Sequence, residues 1–278
     1  MACRKLRPQV SSASAPRPSK RASIAPSRDC AARSVMGTTR ATEGSRARPR
    51  IFDMDKGHGA EMAETGSFTP LLGAKALSPF YDAAIGLATR EGRWRARLVA
   101  QINLKPDDRI LDVGCGTGTL ALMLKRRAPS ATVFGLDPDP QALEMARRKA
   151  KRAGAEINFL QGFASDALIK PLRPLTKIVI SLVLHQTPVK EKLRILNTCR
   201  HVLGPDGEVH VADYGEQRGL MRLAFRTTVQ ALDGVNDTEP HASGQFPSII
   251  REAGLKTLTE TSRTPTPTGQ ITCWIARR

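Results

Sequence analysis

The stretch Arg109-Ile-Leu-Asp-Val-Gly-Cys-Gly-Thr-Gly118 decides the fold of this chain. An apolar segment of strand length carries an acid near its end and runs into a turn with glycine at every second position. Glycine lets the backbone turn sharply and lets a ligand lie against it, because no side chain stands in the way. Such a turn directly after a buried strand is typical of α/β proteins that bind a nucleotide-like cofactor.

Segments with strand and helix patterns alternate outward from this stretch. Because strands joined through helices make right-handed crossovers, the alternation predicts an α/β fold with a doubly wound, mostly parallel sheet. The closing segments predict an antiparallel hairpin, which brings the sheet to seven strands. We expect strands at 109–113, 132–136, 157–161, 178–184, 208–214, 255–263 and 270–277. We expect one or two helices over 77–104, and single helices at 119–127, 139–153, 189–203, 220–232 and 246–253.

The first fifth of the chain differs in composition from the rest. Residues 1–50 contain 12 Lys and Arg but 2 Asp and Glu, in a chain of 278 residues with a formal net charge of +17. A segment this basic, with few aromatics and no regular period, cannot bury enough surface to fold alone. We therefore predict a disordered basic extension over 1–61 and one folded domain over 62–278.

Three interpretations of this extension stay open. It has the composition of an organelle transit peptide, it could be a basic arm for nucleic acid, or the true start could be Met36, Met54 or Met62. We expect a cytoplasmic protein, or an organellar one if the extension is a transit peptide. The chain has no apolar run near the roughly 18 residues of a spanning helix, so no membrane span is predicted.

The cysteines and histidines do not indicate a metal site. The five cysteines form no CxxC pair, which argues against a structural zinc site and a disulfide framework and favours a reducing compartment. His201 and His241 have no partner at a ligand spacing, so we predict no metal.

The spacing of the glycines narrows the choice of cofactor. Gly114-x-Gly116-x-Gly118 differs from the dinucleotide pattern G-x-G-x-x-G, and no G-K-[ST] follows that would hold a triphosphate. Asp137, 19 residues after Gly118, ends the second strand, where a carboxylate can accept hydrogen bonds from two ribose hydroxyls. Dehydrogenases also carry an acid at this position, so Asp137 alone does not discriminate.

The motif D-x-G-x-G-x-G formed by Asp112 to Gly118 resembles, without a mismatch, motif I of the class I S-adenosylmethionine-dependent methyltransferases. Ser181-Leu-Val-Leu-His185, a later Gly-Pro-Asp-Gly turn and Val209-His-Val-Ala-Asp213 resemble the quinone-biosynthesis branch (methyltransferase type 11/25), over about residues 67–278. The resemblance implies a Rossmann-like fold, S-adenosylmethionine as methyl donor, and a small or lipid-like acceptor that could be a quinone. It implies cofactor contacts by Asp112, Gly114, Cys115, Gly116, Gly118, Asp137, Pro138, Gly162, Phe163 and Ser181.

The chain departs from the family pattern at two places. Before strand 4 it carries Leu175-Thr176, where Phe-Asp is usual. Many relatives carry Gly-Asp after the third strand, where the acid meets the adenine amine, whereas this chain carries Gly162-Phe163. Adenine would then be recognised by backbone groups, by stacking on Phe163, or by Asp166.

An acceptor that must lose a proton needs a base, and His185 is our candidate because it follows a parallel strand at the ligand crevice. The other interpretation is a pocket residue without a proton role. Tyr81 and Tyr214 are candidates for the acceptor pocket, although both could serve only in packing. We expect Cys115 to be a packing residue rather than a nucleophile, and His210 to be a satisfied core histidine.

Two other functions stay open at this point. A protein that binds S-adenosylmethionine without catalysis would show the same turn, and the positive charge raises the alternative of an RNA methyltransferase. Against the second, strand 4 lacks the [DN]-P-P-[YF] turn, and most of the charge lies in the extension, so we do not expect a nucleic acid partner. The acceptor, the atom methylated and the oligomeric state are not specified by the sequence.

Overall fold

The computed structural model describes residues 91–278, and in this part of the chain seven strands form one sheet. Their order is β3-β2-β1-β4-β5-β7-β6, with β7 antiparallel to both of its neighbours and the other pairs parallel. The predicted sheet and its closing hairpin are therefore confirmed. The strands are β1 (Arg109–Val113), β2 (Thr132–Asp137), β3 (Asn158–Gln161), β4 (Leu175–Ser181), β5 (Leu203–Tyr214), β6 (Thr257–Thr266) and β7 (Gly269–Arg277).

Helices cover both faces of the sheet. Alternate side chains of β1 point to opposite faces, so Ile110 joins one buried apolar cluster and Leu111 the other. The helices are α1 (Glu91–Gln101), α2 (Thr119–Arg127), α3 (Pro140–Arg152), α4 (Asp166–Ile169), α5 (Val189–Val202), α6 (Gly219–Thr227), α7 (Val229–Asp233), α8 (Val235–Ala242) and α9 (Phe246–Glu252). None of these helices is both long enough and apolar enough to cross a membrane.

The fourth strand is displaced from its predicted position. The sequence pattern predicts 178–184, whereas β4 is Leu175–Ser181. It begins earlier because Lys177, which interrupts the apolar run, is neutralised inside the sheet by Glu208 at 2.5 Å. It ends earlier because Leu182 has a left-handed backbone (φ 53°), which turns the chain out of the sheet into a single 3₁₀ turn, Leu184–Gln186.

The fifth strand begins earlier than predicted and is longer. The Gly204-Pro-Asp-Gly207 segment reads as a turn before a strand at 208, but Leu203 already pairs with Leu175. The register shifts between Leu175 and Lys177, and this irregularity accommodates the four residues inside β5.

The predicted helix at 220–232 is two short helices instead, α6 and α7, and a third helix that was not predicted, α8, follows them. We call residues 218–242 the insert. The breaks between α6, α7 and α8 fall at Thr228 and at Gly234, which has φ 85°. The insert leaves β5 at its carboxyl end, on the same edge of the sheet as the glycine turn.

The extension over 1–61, the candidate start sites, Tyr81 and the helical pattern before residue 91 lie outside the described residues.

Candidate active site

The glycine turn after β1 requires its glycines. Gly114, Gly116 and Gly118 have φ values of 69°, 51° and 74°, a left-handed backbone that other residues adopt only with strain. The N–H groups of Gly114 and Cys115 both donate to the Leu136 carbonyl, at 2.8 and 3.0 Å. The turn is thereby fixed against the end of β2, and its glycines leave bare backbone for a ligand.

Asp137 joins this turn to the next loop. Its carboxylate accepts from the N–H of Gly116 at 2.8 Å and from the N–H of Asp139 at 2.9 Å. Burial raises the pKa of Asp137, and these two N–H donors work against that shift. A carboxylate has about four acceptor positions, so acceptor capacity remains for ribose hydroxyls. Pro138, half-buried, lies in the bend between the two acids.

Asp112 is the most unusual group on the cofactor side. Its side chain is fully buried, and neither oxygen has a well-formed hydrogen bond to any residue in 91–278. Burial raises the pKa of Asp112 to about 7, against a smaller opposing effect of Arg95. A buried carboxylate beside a bare turn, with no well-formed hydrogen bond to a described residue, fits the cationic ammonium group of S-adenosylmethionine. The residues at this edge therefore fit that cofactor.

The adenine side of the predicted site is more open. Gly162 (φ 142°) donates its N–H to the Asp137 carbonyl at 3.0 Å, which places the end of β3 beside the end of β2. Phe163 follows with 53% of its surface exposed. Asp166, the alternative adenine contact, forms an ion pair with Lys170 at 2.9 Å.

Cys115 and Ser181 are two further residues that the resemblance assigns to the cofactor. Cys115 is buried in the turn, and burial raises the pKa of its thiol, which therefore stays protonated. This agrees with packing rather than with a nucleophile. Ser181 is the last residue of β4 and lies opposite Ala212 of β5.

His185 is held by Asp213 at the ends of β4 and β5. Nδ1 of His185 lies 2.8 Å from one carboxylate oxygen of Asp213. The N–H groups of Leu184 and Tyr214 also donate to Asp213, each at 2.8 Å. Although burial opposes ionisation, His185 and the Tyr214 N–H help to hold the pKa of Asp213 well below its usual range.

The ionised Asp213 fixes the tautomer of His185. A carboxylate can only accept hydrogen bonds, so Nδ1 keeps its proton in both charge states of the ring and Nε2 is the nitrogen that gains or loses one. Nε2 lies 3.5 Å from a carboxylate oxygen of Asp233, the last residue of α7. Burial lowers the pKa of His185, but Asp213 and Asp233 outweigh it and raise the pKa to about 9.

Asp233, His241 and Lys192 belong to this cluster and were not found by sequence reasoning. His241 is fully buried, donates through Nδ1 to the Tyr214 carbonyl at 2.7 Å, and lies with its ring 6.4 Å from that of His185. Burial lowers the pKa of His241 to about 4, so it is neutral. Among residues 91–278 no group of three His, Cys, Asp or Glu is placed to hold a metal.

Lys192 fastens the loop after His185 to the insert. It is fully buried, and its ammonium group donates to the carbonyls of Thr187 and, at 2.7 Å, Asp237. The sequence does contain a signal, because Lys192 lies on the same face of α5 as the buried Leu196 and Cys199. A lysine on an apolar stripe indicates an internal partner.

Tyr214 and His210 are the two remaining residues that the sequence analysis considered. Tyr214 packs its ring edge-on at 5.0 Å from His185, and its hydroxyl lies 2.8 Å from that of Thr268. The structure therefore brings Tyr214 to His185, with its polar atom already engaged. His210 is fully buried, with Nε2 3.2 Å from a Glu208 oxygen, as expected for a core histidine.

Comparisons with known proteins agree with this geometry. A family described as "Methyltransferase domain" matches residues 110–207. The chain is 35% identical over 159 residues to a demethylmenaquinone methyltransferase of Thermus thermophilus, covering 56% of this chain and 71% of that protein. It is 28% identical to a ubiquinone biosynthesis O-methyltransferase of Xylella fastidiosa, covering 53% of this chain and 56% of that protein. The chain thus spans between about half and about 70% of these two curated relatives.

Solved structures share the fold. The apo form of the S-adenosylmethionine-dependent methyltransferase SibL matches with a TM-score of 0.55 and 24% identity, over 77% of this chain and 63% of that one. The mitomycin 7-O-methyltransferase MmcR matches with a TM-score of 0.55 and 20% identity, over 74% of this chain and 58% of that one. With the glycine turn, the buried Asp112 and the Thermus relative covered over 71% of its length, the chain belongs to the class I S-adenosylmethionine-dependent methyltransferases, in the quinone-biosynthesis-like branch.

Proposed function

We propose that this methyltransferase acts on a phenolic hydroxyl of a small, quinone-like aromatic acceptor, with His185 as the base. The observation that carries this proposal is the Asp213–His185 pair at 2.8 Å, which leaves Nε2 as the one ring nitrogen for proton transfer. Such a pair is useful for an acceptor that must lose a proton as it is methylated.

The cofactor half of the site acts by positioning. The ammonium group of S-adenosylmethionine would lie at Asp112 and its ribose at Asp137. The rest of the cofactor would lie against the backbone of the glycine turn. Bound S-adenosylmethionine supplies a methyl group on a sulfonium, which is already a good leaving group. The chain therefore has to orient two reactants, and orientation is worth effective molarities of about 10^5 M or more in favourable cases.

The acceptor half handles the proton. The hydroxyl proton passes to Nε2 of His185, while Asp213 holds the ring through Nδ1 and stabilises the imidazolium that forms. Base catalysis of this kind contributes roughly 10^2- to 10^4-fold in rate. This proton is released to solvent before the next methyl transfer.

Two observations support a ring-shaped, partly apolar acceptor. The relatives are named for demethylmenaquinone and for ubiquinone biosynthesis, and the second name specifies methylation on oxygen. The insert beside His185 also presents exposed apolar side chains, Leu220 at 80% and Leu223 at 59% exposure. An aromatic alcohol with an alkenyl tail matches both features.

The test uses the full chain with labelled S-adenosylmethionine and a p-hydroquinone carrying a short prenyl tail. We expect an O-methylated product by mass spectrometry and NMR, and a loss of about 10^2- to 10^4-fold in kcat for His185→Gln. His201→Gln, at an exposed histidine of α5, is the matched control and should retain activity.

Three results would overturn the proposal. A methyl group on ring carbon would exclude the hydroxyl acceptor, and full activity of His185→Gln would exclude the base. Tight S-adenosylmethionine binding without transfer to any small acceptor would indicate a binding protein without catalysis.

A further inference from the structure

Asp233 lies over the nitrogen of His185 that has to meet the acceptor. Its carboxylate is 3.5 Å from Nε2, on the side of the ring away from Asp213. A hydroxyl that donates its proton to Nε2 needs to approach within about 2.6–3.2 Å of that atom. The acceptor hydroxyl and the Asp233 carboxylate therefore compete for one position.

The two carboxylates on His185 are held very differently. Asp213 is fully buried within β5 and accepts from the backbone N–H groups of Leu184 and Tyr214. Asp233 ends a helix of five residues, and its side chain is 26% exposed. Asp213 is therefore a fixed partner of the ring, whereas Asp233 borders solvent.

The segment that carries Asp233 lies at the surface. α7 is anchored by the buried Val229 and Gln230 at its start, while Leu232 next to Asp233 is 84% exposed. Gly234 follows with φ 85°, and a Cβ placed on it would meet nothing within 4 Å. The Asp233 side chain therefore has open space on its outer side, and its displacement from His185 uncovers no buried apolar residue.

Among the described residues, the other titratable groups that surround His185 supply no negative charge in place of Asp233. Tyr214 from β5 and His241 from α8 face the ring, and neither is ionised at neutral pH, since burial raises the pKa of Tyr214 to about 12 and lowers that of His241 to about 4. Lys192 from α5 interacts electrostatically with Asp213. Asp213 and Asp233 are therefore the two carboxylates that bear on His185.

We propose that Asp233 is a displaceable cap that holds the place of the acceptor hydroxyl on Nε2 of His185 until the acceptor binds. This inference rests on the proposed function of His185 as the base. With the cap in place the imidazole is doubly protonated and cannot accept a proton. Binding of the acceptor removes the cap and so creates the base where the acceptor now lies.

The proton balance is simple. When Asp233 moves away, the Nε2 proton is released to solvent, and the hydroxyl of the acceptor then donates to the free lone pair of Nε2. An oxygen–carbon bond forms, the sulfur–carbon bond breaks with its electron pair remaining on sulfur, and Nε2 gains the hydroxyl proton. Return of Asp233 restores the protonated, capped state.

The test follows the pKa of His185 directly by NMR of its ring nitrogens in the full chain, with His185→Gln to assign the signal. In Asp233→Asn the pKa of His185 should fall by one to three units, the usual effect of removing an opposite charge at this distance. Asp237→Asn removes the same charge from the neighbouring helix α8 and should leave the pKa of His185 unchanged. Addition of the prenylated hydroquinone to the wild type should also lower it.

Kinetics separate the cap from a merely structural carboxylate. Because kcat/KM reports the free enzyme and kcat the complex, Asp233→Asn should raise kcat/KM at pH 7 about tenfold or more while kcat changes little. An unchanged pKa of His185 in Asp233→Asn, or a fall in kcat at every pH, would overturn the cap. Full activity of His185→Gln would overturn the proposed function instead, and the NMR titration would still report the contact.

Discussion

Replacing Asp112 by Asn should stabilise the cofactor-free protein at neutral and alkaline pH while weakening its affinity for S-adenosylmethionine. The reason is the burial of Asp112, which has no well-formed hydrogen bond to any described residue. Asparagine has nearly the same shape but no charge to bury. One substitution should therefore move stability and binding in opposite directions.

The size of the effect follows from the pKa. Burial raises the pKa of Asp112 from 3.8 to about 7, and each unit corresponds to about 1.36 kcal/mol. Because the folded value is the higher one, stability falls as pH rises from about 4 to about 7, and the full cost above pH 7 is roughly 4 kcal/mol. The buried amide loses its water partners at a cost of about 1–3 kcal/mol, which leaves a net gain of roughly 1–3 kcal/mol at pH 8.

Urea unfolding of wild type and Asp112→Asn at pH 5 and pH 8 measures this directly. The free energy of unfolding of the variant minus that of wild type should be larger at pH 8 than at pH 5 by roughly 2–3 kcal/mol. Calorimetry should show S-adenosylmethionine binding weakened about 10- to 100-fold, the loss of one charge-assisted hydrogen bond. Asp107→Asn, at an exposed acid five residues earlier, is the control. A stability difference independent of pH, or wild-type affinity in Asp112→Asn, would refute the reasoning.

Three further substitutions test the rest of the site. Asp213→Asn should lower kcat by about 10^2- to 10^4-fold with S-adenosylmethionine affinity retained, because an amide facing Nδ1 favours the wrong tautomer; steady-state rates within threefold of wild type would contradict this. Gly118→Ala should cost about 2–4 kcal/mol in urea unfolding, since φ is 74° and the new Cβ would lie 2.7 Å from that of Ala146, whereas Gly92→Ala in α1 should be neutral or stabilising. Tyr214→Phe should keep kcat within about threefold and cost about 0.5–1.5 kcal/mol by thermal unfolding, and a hundredfold loss of kcat would place its hydroxyl on the acceptor.

The glycine turn and the elements around it could be predicted from the sequence because their signals are local. The apolar run of β1 ends in three glycines that need positive φ, and α2 ends before Pro129, so both elements lie at the predicted residues. Asp139 and Pro140 likewise mark the start of α3, where the Asp139 side chain accepts from the N–H of Gln141 at 2.8 Å. Each of these features is decided within a few residues.

The acceptor half could be predicted only in part because its contacts are long-range. His185 and Asp213 could be placed at neighbouring strand ends, but Asp233 and His241 reach them through an insert whose path no periodicity reveals. The start of β5 also depends on a long-range contact. The Gly-Pro-Asp-Gly segment predicts a turn, but Leu203 before it pairs with Leu175, so the segment lies within the strand. Sequence patterns report which face of an element is apolar, and they do not report which charged groups tertiary packing brings together.

The insert begins and ends at nearly one point, because the N–H of Gln217 donates to the carbonyl of Ala242 at 3.0 Å. A segment closed in this way can be exchanged for another of different length at small entropic cost, since loop closure depends only weakly on length. The cofactor half would be untouched by such an exchange. The same segment carries both the exposed apolar side chains beside the site and Asp233, so a transplanted insert would bring a new acceptor preference and a new pH optimum together.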